Sequence, residues 1–478
     1  MNHTLLRSVF ALALVWLPCI AQSTGGRISG SVQDSTGALI PGAEVTVQSV
    51  ATSQRLSMTT NGSGQFVFYP LQAETYRLTA AMAGFRELAI DGIRLEVGAN
   101  LIHSLTLEIG TSQQEVTVSA SSVPIISQSP SVEGTISEQQ TASLPLNGRS
   151  FDDLVLLTAG AVDNRLAGGG NDPGPYSVNG NRSYGNNFLV DGVSNNNVFQ
   201  PQAAAAVSID AIREFKVISG VPPAEYGQAA AAVSVVTRSG TNRYHGNVYE
   251  YFRGTVMQPR DPFNTVGTQP YAEHRAGGSL GGPVRLPRYN GKHRTFFFTN
   301  YEAGRLKSNA TRVVSVPRPK FWKGGFSALL SRNIQLRDPL IAGRPPIPEN
   351  RLDTYMGGSR INATALKLQP LFGSPDRPGY VNNAARFPEE TNNGDQVTAR
   401  IDQLLPKNHS ISGRLIYTDG NLHQPWGLGT PGPASTQYSG SRNLMLTWTA
   451  PVGTRAVNEF KFGWSKVTRQ DRFPGLEE

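Results

Sequence analysis

The sequence predicts a mainly β protein: a small N-terminal β-sandwich, a small α+β domain, and an incomplete antiparallel transmembrane β-barrel. Three observations carry this. Apolar and polar residues alternate with period two in short runs along most of the chain. Turn residues punctuate those runs, with 50 Gly and 32 Pro among 478 residues. Charged residues make up only 16% of the chain, few for an ordinary soluble protein. Yet beyond the first 25 residues no apolar run reaches the ~18 residues that a membrane helix needs. Any membrane span must then be built of strands closed into a barrel, the other arrangement that satisfies every backbone group in lipid.

Residues 1–21 read as an export signal. Arg7 supplies the positive end, Val9–Leu17 the apolar core, and Cys19-Ile20-Ala21 a small-x-small site for cleavage after Ala21. The alternative, lipidation of Cys19, is disfavoured by Pro18 in front of it. Cys19 is the only cysteine, so cleavage removes disulfides, thiolate metal sites and cysteine nucleophiles from consideration.

Residues 22–110 read as a two-sheet sandwich of seven or so short strands. The alternating sets are Ile28/Gly30/Val32, Val45/Val47, Phe66/Phe68, Tyr76/Leu78/Ala80 and Leu101/His103/Leu105/Leu107. Turn sequences separate them, among them Asp34–Gly37 and Asn61–Gly64. His103 sits on an apolar face, where a packed histidine is the expected state. The seven histidines form no H-x-x-E or H-E-x-x-H, so zinc-hydrolase chemistry has no ligand set. The net charge of +8 is dispersed without a basic run, which argues against nucleic-acid binding.

Residues 111–122 form a polar linker with an extended core, Glu115-Val116-Thr117-Val118-Ser119-Ala120. Residues 123–238 make the α+β domain. Its strands at Phe188–Val190, Phe215–Ile218 and Ala232–Thr237 are separated by Asp191-Gly192, Ser219-Gly220 and Tyr226-Gly227. Ser208–Glu214 is expected to make one or two helical turns capped by Ser208 or Asp210. Residues 239–478 hold longer alternating segments. Six are clear: Tyr244–Arg253, His274–Val284, Arg294–Glu302, Ser410–Thr418, Asn443–Ala450 and Val457–Val467. Their lengths of 8 to 11 residues come close to the ~9–11 that a membrane strand needs. Taken alone, each also suits a soluble sandwich. Val314–Arg351 and Tyr355–Asn392 read as long connections between them.

Motifs in fixed order carry a family resemblance. Asp191-Gly192, Ile209/Ile212/Phe215/Val217, Ala224-Glu225-Tyr226-Gly227 and Val233–Asn242 resemble the end of the plug domain of TonB-dependent outer-membrane transporters. Leu144–Arg149 (LPLNGR) and Asp338–Arg351 are similar to the Oar-like branch. Gly30–Val47 and Thr60–Phe68 resemble the carboxypeptidase-regulatory-like domain, an Ig/transthyretin-like sandwich that groups with carbohydrate-binding-like folds.

The resemblance implies a cell outer-membrane receptor for TonB-energised uptake, with the sandwich in the periplasm. It implies no enzyme activity and no cofactor. Partners would be a TonB-type periplasmic energising protein, outer-membrane lipid, and a solute such as a carbohydrate, an iron chelate or a peptide. It makes Glu115–Ala120 a candidate TonB box, the segment that pairs with the energising protein as an added strand. An ordinary interdomain β-linker is the equal alternative. It marks Arg149, Asp191, Gly192, Arg213, Glu214, Glu225, Tyr226 and Gly227 as plug-motif residues. Ion pairs from Arg149, Arg182, Asp191, Arg213, Glu214 and Glu225 to the barrel wall are one reading of these charges, and a solvated surface is the equal alternative for each. The barrel segment is short of the ~22 strands of plugged transporters, so the chain reads as truncated. The competing function is a non-transporting surface protein that binds a glycan or a protein through its sandwich.

Overall fold

The computed structural model describes residues 25–473 except 111–115, 120–130, 145, 165–175, 228, 258–268, 310, 426–433 and 453–455. The cleavage site at Ala21, and Glu115 and Ala120 of the linker segment, lie outside the described residues.

Period-two alternation produces the N-terminal sandwich. Its strands are β1 (Gly26–Asp34), β2 (Glu44–Ser49), β3 (Arg55–Thr59), β4 (Gln65–Leu71), β5 (Thr75–Ala81), β6 (Leu88–Arg94), β7 (Asn100–Leu107) and β8 (Val116–Ser119). They form two sheets, ordered β4-β1-β7 and β3-β2-β5-β6-β8. Ile28, Val32, Val45, Val47, Phe66, Leu78 and Leu105 fill the core between them. The turns form for local reasons. The Asp34 carboxylate accepts the Thr36 and Ala38 amides at 2.8 and 3.0 Å, and Asn61 accepts those of Ser63 and Gln65. Gly30 is required, because a Cβ there would lie 1.8 Å from the His103 carbonyl oxygen of paired β7. The alternation at 28–32 and 101–107 is thus two parallel neighbours in register.

The second domain is built on β9 (Val132–Ser137), β10 (Ala161–Asp163), β11 (Tyr176–Val178), β12 (Asn186–Val190), β13 (Val193–Ser194), β14 (Ile212–Ser219) and β15 (Ala231–Thr237). Five of these form a mixed sheet, β13-β12-β15-β14-β9. Phe188, Val190, Phe215, Val217, Val233 and Val235 share a core with Phe151, Leu154 and Val155 of a 3-10 helix at Phe151–Leu157. Leu189, Ile218, Ala232 and Tyr226 cluster separately. Burial on two faces explains the near-continuous apolar run of β15.

The helical expectation for Ser208–Glu214 is corrected. Only Ile209–Ala211 makes a 3-10 turn, and Ser208 makes no side-chain cap. From Ile212 onward the chain pairs antiparallel with β15, and from Glu214 with β9 as well. Two partner strands outweigh a weak local helical preference.

The third region is a seven-stranded antiparallel sheet. Its strands are β16 (His245–Gly254), β17 (Tyr271–Pro283), β20 (Thr295–Asn309), β23 (Glu389–Leu404), β24 (Ser410–Pro425), β25 (Ala434–Val452) and β26 (Ala456–Arg472), neighbours in that order. Two small two-stranded pairs stand outside it: the hairpin of β18 (Arg285–Leu286) with β19 (Tyr289–Asn290), and the long-range pair of β21 (Arg312–Val314) with β22 (Ala384–Arg386).

The six strands read from sequence are present; the first keeps its ten residues, shifted by one, and the other five are longer than expected. A seventh, β23, had been assigned partly to a connection. Its lumen-side residues Gln396, Thr398, Arg400 and Asp402 are polar, and its first half (EETNNGD) lacks an apolar face, so its alternation is weak. The described connection 311–388 lies at one end of the sheet, and the short turns at 284–294 and 405–409 at the other.

The two faces differ in chemistry. Ile401, Leu446, Trp448, Phe460, Phe462 and Trp464 point outward and stay 43–53% exposed. They pair across strands, Leu446 opposite Phe462 and Trp448 opposite Phe460. Asn300, Glu302, Thr398, Arg400, Arg414 and Asn443 point inward and are buried against the second domain. An apolar outside and a polar inside is the membrane-barrel pattern. Among the described residues no helix is long and apolar enough to cross a membrane.

Candidate functional site

Asp191 is placed by a two-residue hairpin. β12 and β13 pair with Val190 opposite Val193, and the connecting Asp191-Gly192 has φ of 51° and 75°. A turn with both central residues left-handed matches strand twist and favours Asp-Gly. The Asp191 carboxylate is thereby aimed across β15 at the sheet wall. It accepts the Thr237 amide at 2.9 Å and the Thr237 hydroxyl at 2.8 Å. It pairs with Arg414 at 3.0 Å and Arg400 at 3.4 Å. These arginines face each other on β23 and β24.

Arg400 is balanced by Asp402 at 3.0 Å and also donates to the Thr237 carbonyl. Arg414 donates to the Val190 carbonyl at 3.1 Å and to the Asn443 side-chain oxygen at 2.7 Å. Asn443 in turn donates to the Ser194 carbonyl. Arg414, Arg400 and Asp191 are all under 10% exposed, so each charge is tolerable only because the others are present.

A second node has the opposite polarity. Arg149 on the inner domain pairs with Asp210 and lies 3.8 Å from Glu302 of β20. Its guanidinium sits over the Tyr249 and Tyr251 rings at 5.1 and 4.1 Å. Glu302 is 1% exposed and accepts from Ser208 (2.9 Å), Tyr249 (2.8 Å) and Gln396 (2.9 Å). Ser208 and Asp210, read from sequence as helix caps, instead serve these contacts. Beside this node a cavity of about 390 Å³ opens toward the long connections, with Arg149, Asp152, Gln202, Asp395, Gln396 and Asp419 in its polar lining.

Arg213 and Glu214 do not reach the wall strands. They meet the sandwich. Arg213 pairs with Glu74 at 3.3 Å, Glu214 accepts the Val97 amide at 2.8 Å, and Lys216 donates to the Val97 carbonyl at 3.0 Å. Asn242, at the start of the wall strands, binds the Ala51 and Thr52 carbonyls, which sets the sandwich at the short-turn end. Arg182 is exposed. Glu225 lies in the 3-10 turn Ala224–Tyr226, Tyr226 is buried, and Gly227 takes a φ of 73°. Arg400, Arg414, Glu302 and Asn443 were not singled out from sequence. Their one signal there is a charge or amide on the inward parity of a strand whose other parity is apolar.

The sandwich contact is expected to depend on pH through Glu214. Burial, with Glu96 nearby, pushes Glu214 up from 4.5 to about 7, against the Val97 amide, Lys216 and Arg213. A carboxyl whose docked pKa is raised makes docking tightest in mild acid, and the advantage is lost as pH rises from 4.5 through 7. The expected loss is on the order of 2 kcal/mol. Spin labels at exposed Ser57 and Gln139 should report more undocked sandwich at pH 8 than at pH 5. Glu214→Gln should flatten that dependence, and an unchanged pH profile in this variant would assign the effect elsewhere.

Comparison with known proteins follows the same three regions. Residues 236–477 match the family model "Outer membrane beta barrel domain", residues 126–234 "TonB-dependent Receptor Plug Domain" and residues 27–108 "Carboxypeptidase regulatory-like domain". The chain is 29% identical over 178 residues to the TonB-dependent transporter Oar of Myxococcus xanthus, covering 36% of this chain and 16% of that protein. The outer membrane transporter YddB of Escherichia coli is similar in structure at a TM-score of 0.44 and 11% identity, over 71% of this chain and 39% of that one. The alcaligin outer membrane receptor FauA of Bordetella pertussis gives 0.39 and 10%, over 72% and 48%. The chain thus spans well under two thirds of these relatives. By its family matches it belongs to the outer-membrane β-barrel family of TonB-dependent receptors, with a carboxypeptidase-regulatory-like sandwich ahead of its plug and barrel strands.

Proposed function

We propose that the chain acts in TonB-energised import of a solute across the outer membrane. The observation that carries this reading is the plug's attachment. Its polar contacts to the barrel strands gather in two compact ionic nodes, around Asp191 and around Glu302, and its apolar contact includes Phe298 and Ile416, which join the plug core. Ion pairs between rigid elements are exchangeable for water when the plug is pulled, whereas an apolar seam would have to be exposed. The solute binds from the long-connection side, and no covalent chemistry is required. β16 and β26 are unpaired edges of the described sheet, which lipid does not tolerate. The working receptor therefore closes its barrel with strands beyond these seven.

The energising partner engages the linker segment. Val116–Ser119 pairs parallel with Leu88–Asp91 and forms the edge of its sheet, so a further strand can be added there through backbone hydrogen bonds. Proline removes a backbone donor and fixes φ. Val116→Pro or Val118→Pro should abolish energy-dependent accumulation of the transported solute, found by screening labelled iron chelates, oligosaccharides and peptides, while outer-membrane levels stay equal. Uptake that persists in both variants would rule the segment out. Glycan or cell-surface binding without any uptake would favour the surface-protein reading.

A further inference from the structure

The connection between β20 and β23 is a built unit. Residues 310–388 hold 12 Lys/Arg against 4 Asp/Glu, a surplus of 8 that equals the formal net charge of the whole chain. Two fully buried asparagines organise it. Asn350 donates to the Ile334 carbonyl at 2.7 Å and accepts the Leu336 amide at 2.7 Å. Asn383 brackets Val316, accepting from its amide at 2.8 Å and donating to its carbonyl at 2.9 Å. The β21–β22 pair closes the base.

This frame surrounds a cavity of about 480 Å³ whose lining includes Val316, Arg318, Phe321, Trp322, Ile361 and Tyr380, a size suited to a small molecule. Phe321 stacks on Tyr380, ring centroids 5.6 Å apart and planes 8° from parallel, and on Phe326 at 4.8 Å, so an aromatic stack already borders the cavity. Arg318 and Arg332 lie over the same Tyr380 ring at 4.5 and 4.8 Å. Arg318 commits its Nε–H to the Gly379 carbonyl at 3.0 Å. Arg360 is neutralised by Asp338 at 2.8 Å. Arg318 and Arg332 have no carboxylate partner of this kind among the described residues. Two like charges at one ring repel unless an anion joins them, and a guanidinium fork matches carboxylate and phosphate.

We propose that this cavity captures a small amphipathic organic anion, a planar apolar group carrying a carboxylate or phosphate. Its apolar group packs against Trp322 and the Phe321–Tyr380 stack, and its head group meets Arg318 of the lining, with Arg332 at the same Tyr380 ring adding its charge. The inference names a ligand class for the receptor proposed above, and rests on that reading only for the cavity's outward orientation.

The test uses the full chain in detergent, with 2-naphthoate as probe and Trp322 fluorescence as readout. Saturable quenching that disappears in Trp322→Phe is expected. Exposed Arg332→Gln should weaken binding about fivefold, and the double variant with Arg318→Gln at least about tenfold. Lys367→Gln makes the same charge change on an exposed helical position of the connection, and should shift affinity less than about twofold. Neutral 2-naphthalenemethanol should bind at least about tenfold more weakly than 2-naphthoate. Equal binding of the alcohol, an equal loss in Lys367→Gln, or no saturable naphthoate binding would each overturn the proposal. So would saturation by lipopolysaccharide alone, which would make the unit a lipid contact. Import is not read in this assay, so a failed uptake experiment leaves its outcome intact.

Discussion

Asp191→Ala is expected to loosen the plug from the barrel wall by roughly 3–5 kcal/mol, the usual cost of leaving a buried charge without its partner. Arg414 is 1% and Arg400 9% exposed, and both lean on the one carboxylate. Arg400 retains Asp402. Arg414 retains only neutral oxygens, those of Val190 and Asn443, so most of the cost falls on Arg414. Asp191→Asn should cost less than the alanine change, because the amide oxygen can still accept the Thr237 amide. Arg414→Met in the Asp191→Ala background should recover about half of the loss, since removing both charges is far cheaper than removing one. Urea unfolding of the detergent-solubilised chain, with proteolysis of the plug as second readout, measures this. A shift below ~1 kcal/mol for Asp191→Ala would mean that other contacts hold the plug.

Glu302→Ala is expected to cost about 3 kcal/mol and to free the Arg149 region. Its two oxygens satisfy Ser208, Tyr249 and Gln396 at 2.8–2.9 Å and face Arg149 and Arg275 at 3.8 Å. Alanine takes the acceptor from three donors and the second carboxylate from two cations, Arg149 keeping Asp210 and Arg275 keeping Glu273. Glu302→Gln should lose roughly half as much, because one oxygen remains but the new amide hydrogens confront donors. The coupling within this node can be measured by a double-mutant cycle. Glu302→Ala with Arg149→Met should couple by at least ~1 kcal/mol, as residues in one network do. Strict additivity would show that the tyrosines, rather than Glu302, hold Arg149 in place.

The sequence made some of this legible and hid the rest. Asp191 was visible because Asp-Gly between two apolar runs has a conformational reason to exist, a two-residue turn with both φ values positive. The need for glycine at Gly30 was not visible, because the His103 carbonyl that excludes a Cβ there belongs to β7, a strand far along the chain. Arg400 and Arg414 were invisible, since a lone arginine on an alternating strand reads as a solvent-facing residue until its partner is known. β23 was partly missed because its inward residues serve a polar plug, so neither of its faces shows strong apolar alternation. The short turn at Ile209–Ala211 was over-read as helix because local preference was weighed without the two strands that pair with Ile212–Ser219.

The pairing of Arg213 and Glu214 with the sandwich also had no local signal. Their spacing in IREFKV is compatible with either neighbour, and only the approach of Val97 selects one. By itself, then, the sequence determined the strands, the turns, the order of domains and the family, because these depend on period, conformational freedom and motif order within short windows. The tertiary structure decided which charges meet, Asp191 with Arg400 and Arg414, Arg149 with Glu302, and Arg318 with Arg332 over one ring. Those partners lie tens to hundreds of residues apart, or are joined only by a ring between them, and a charge is stabilised by what lies within a few ångströms in space, wherever that group falls along the chain.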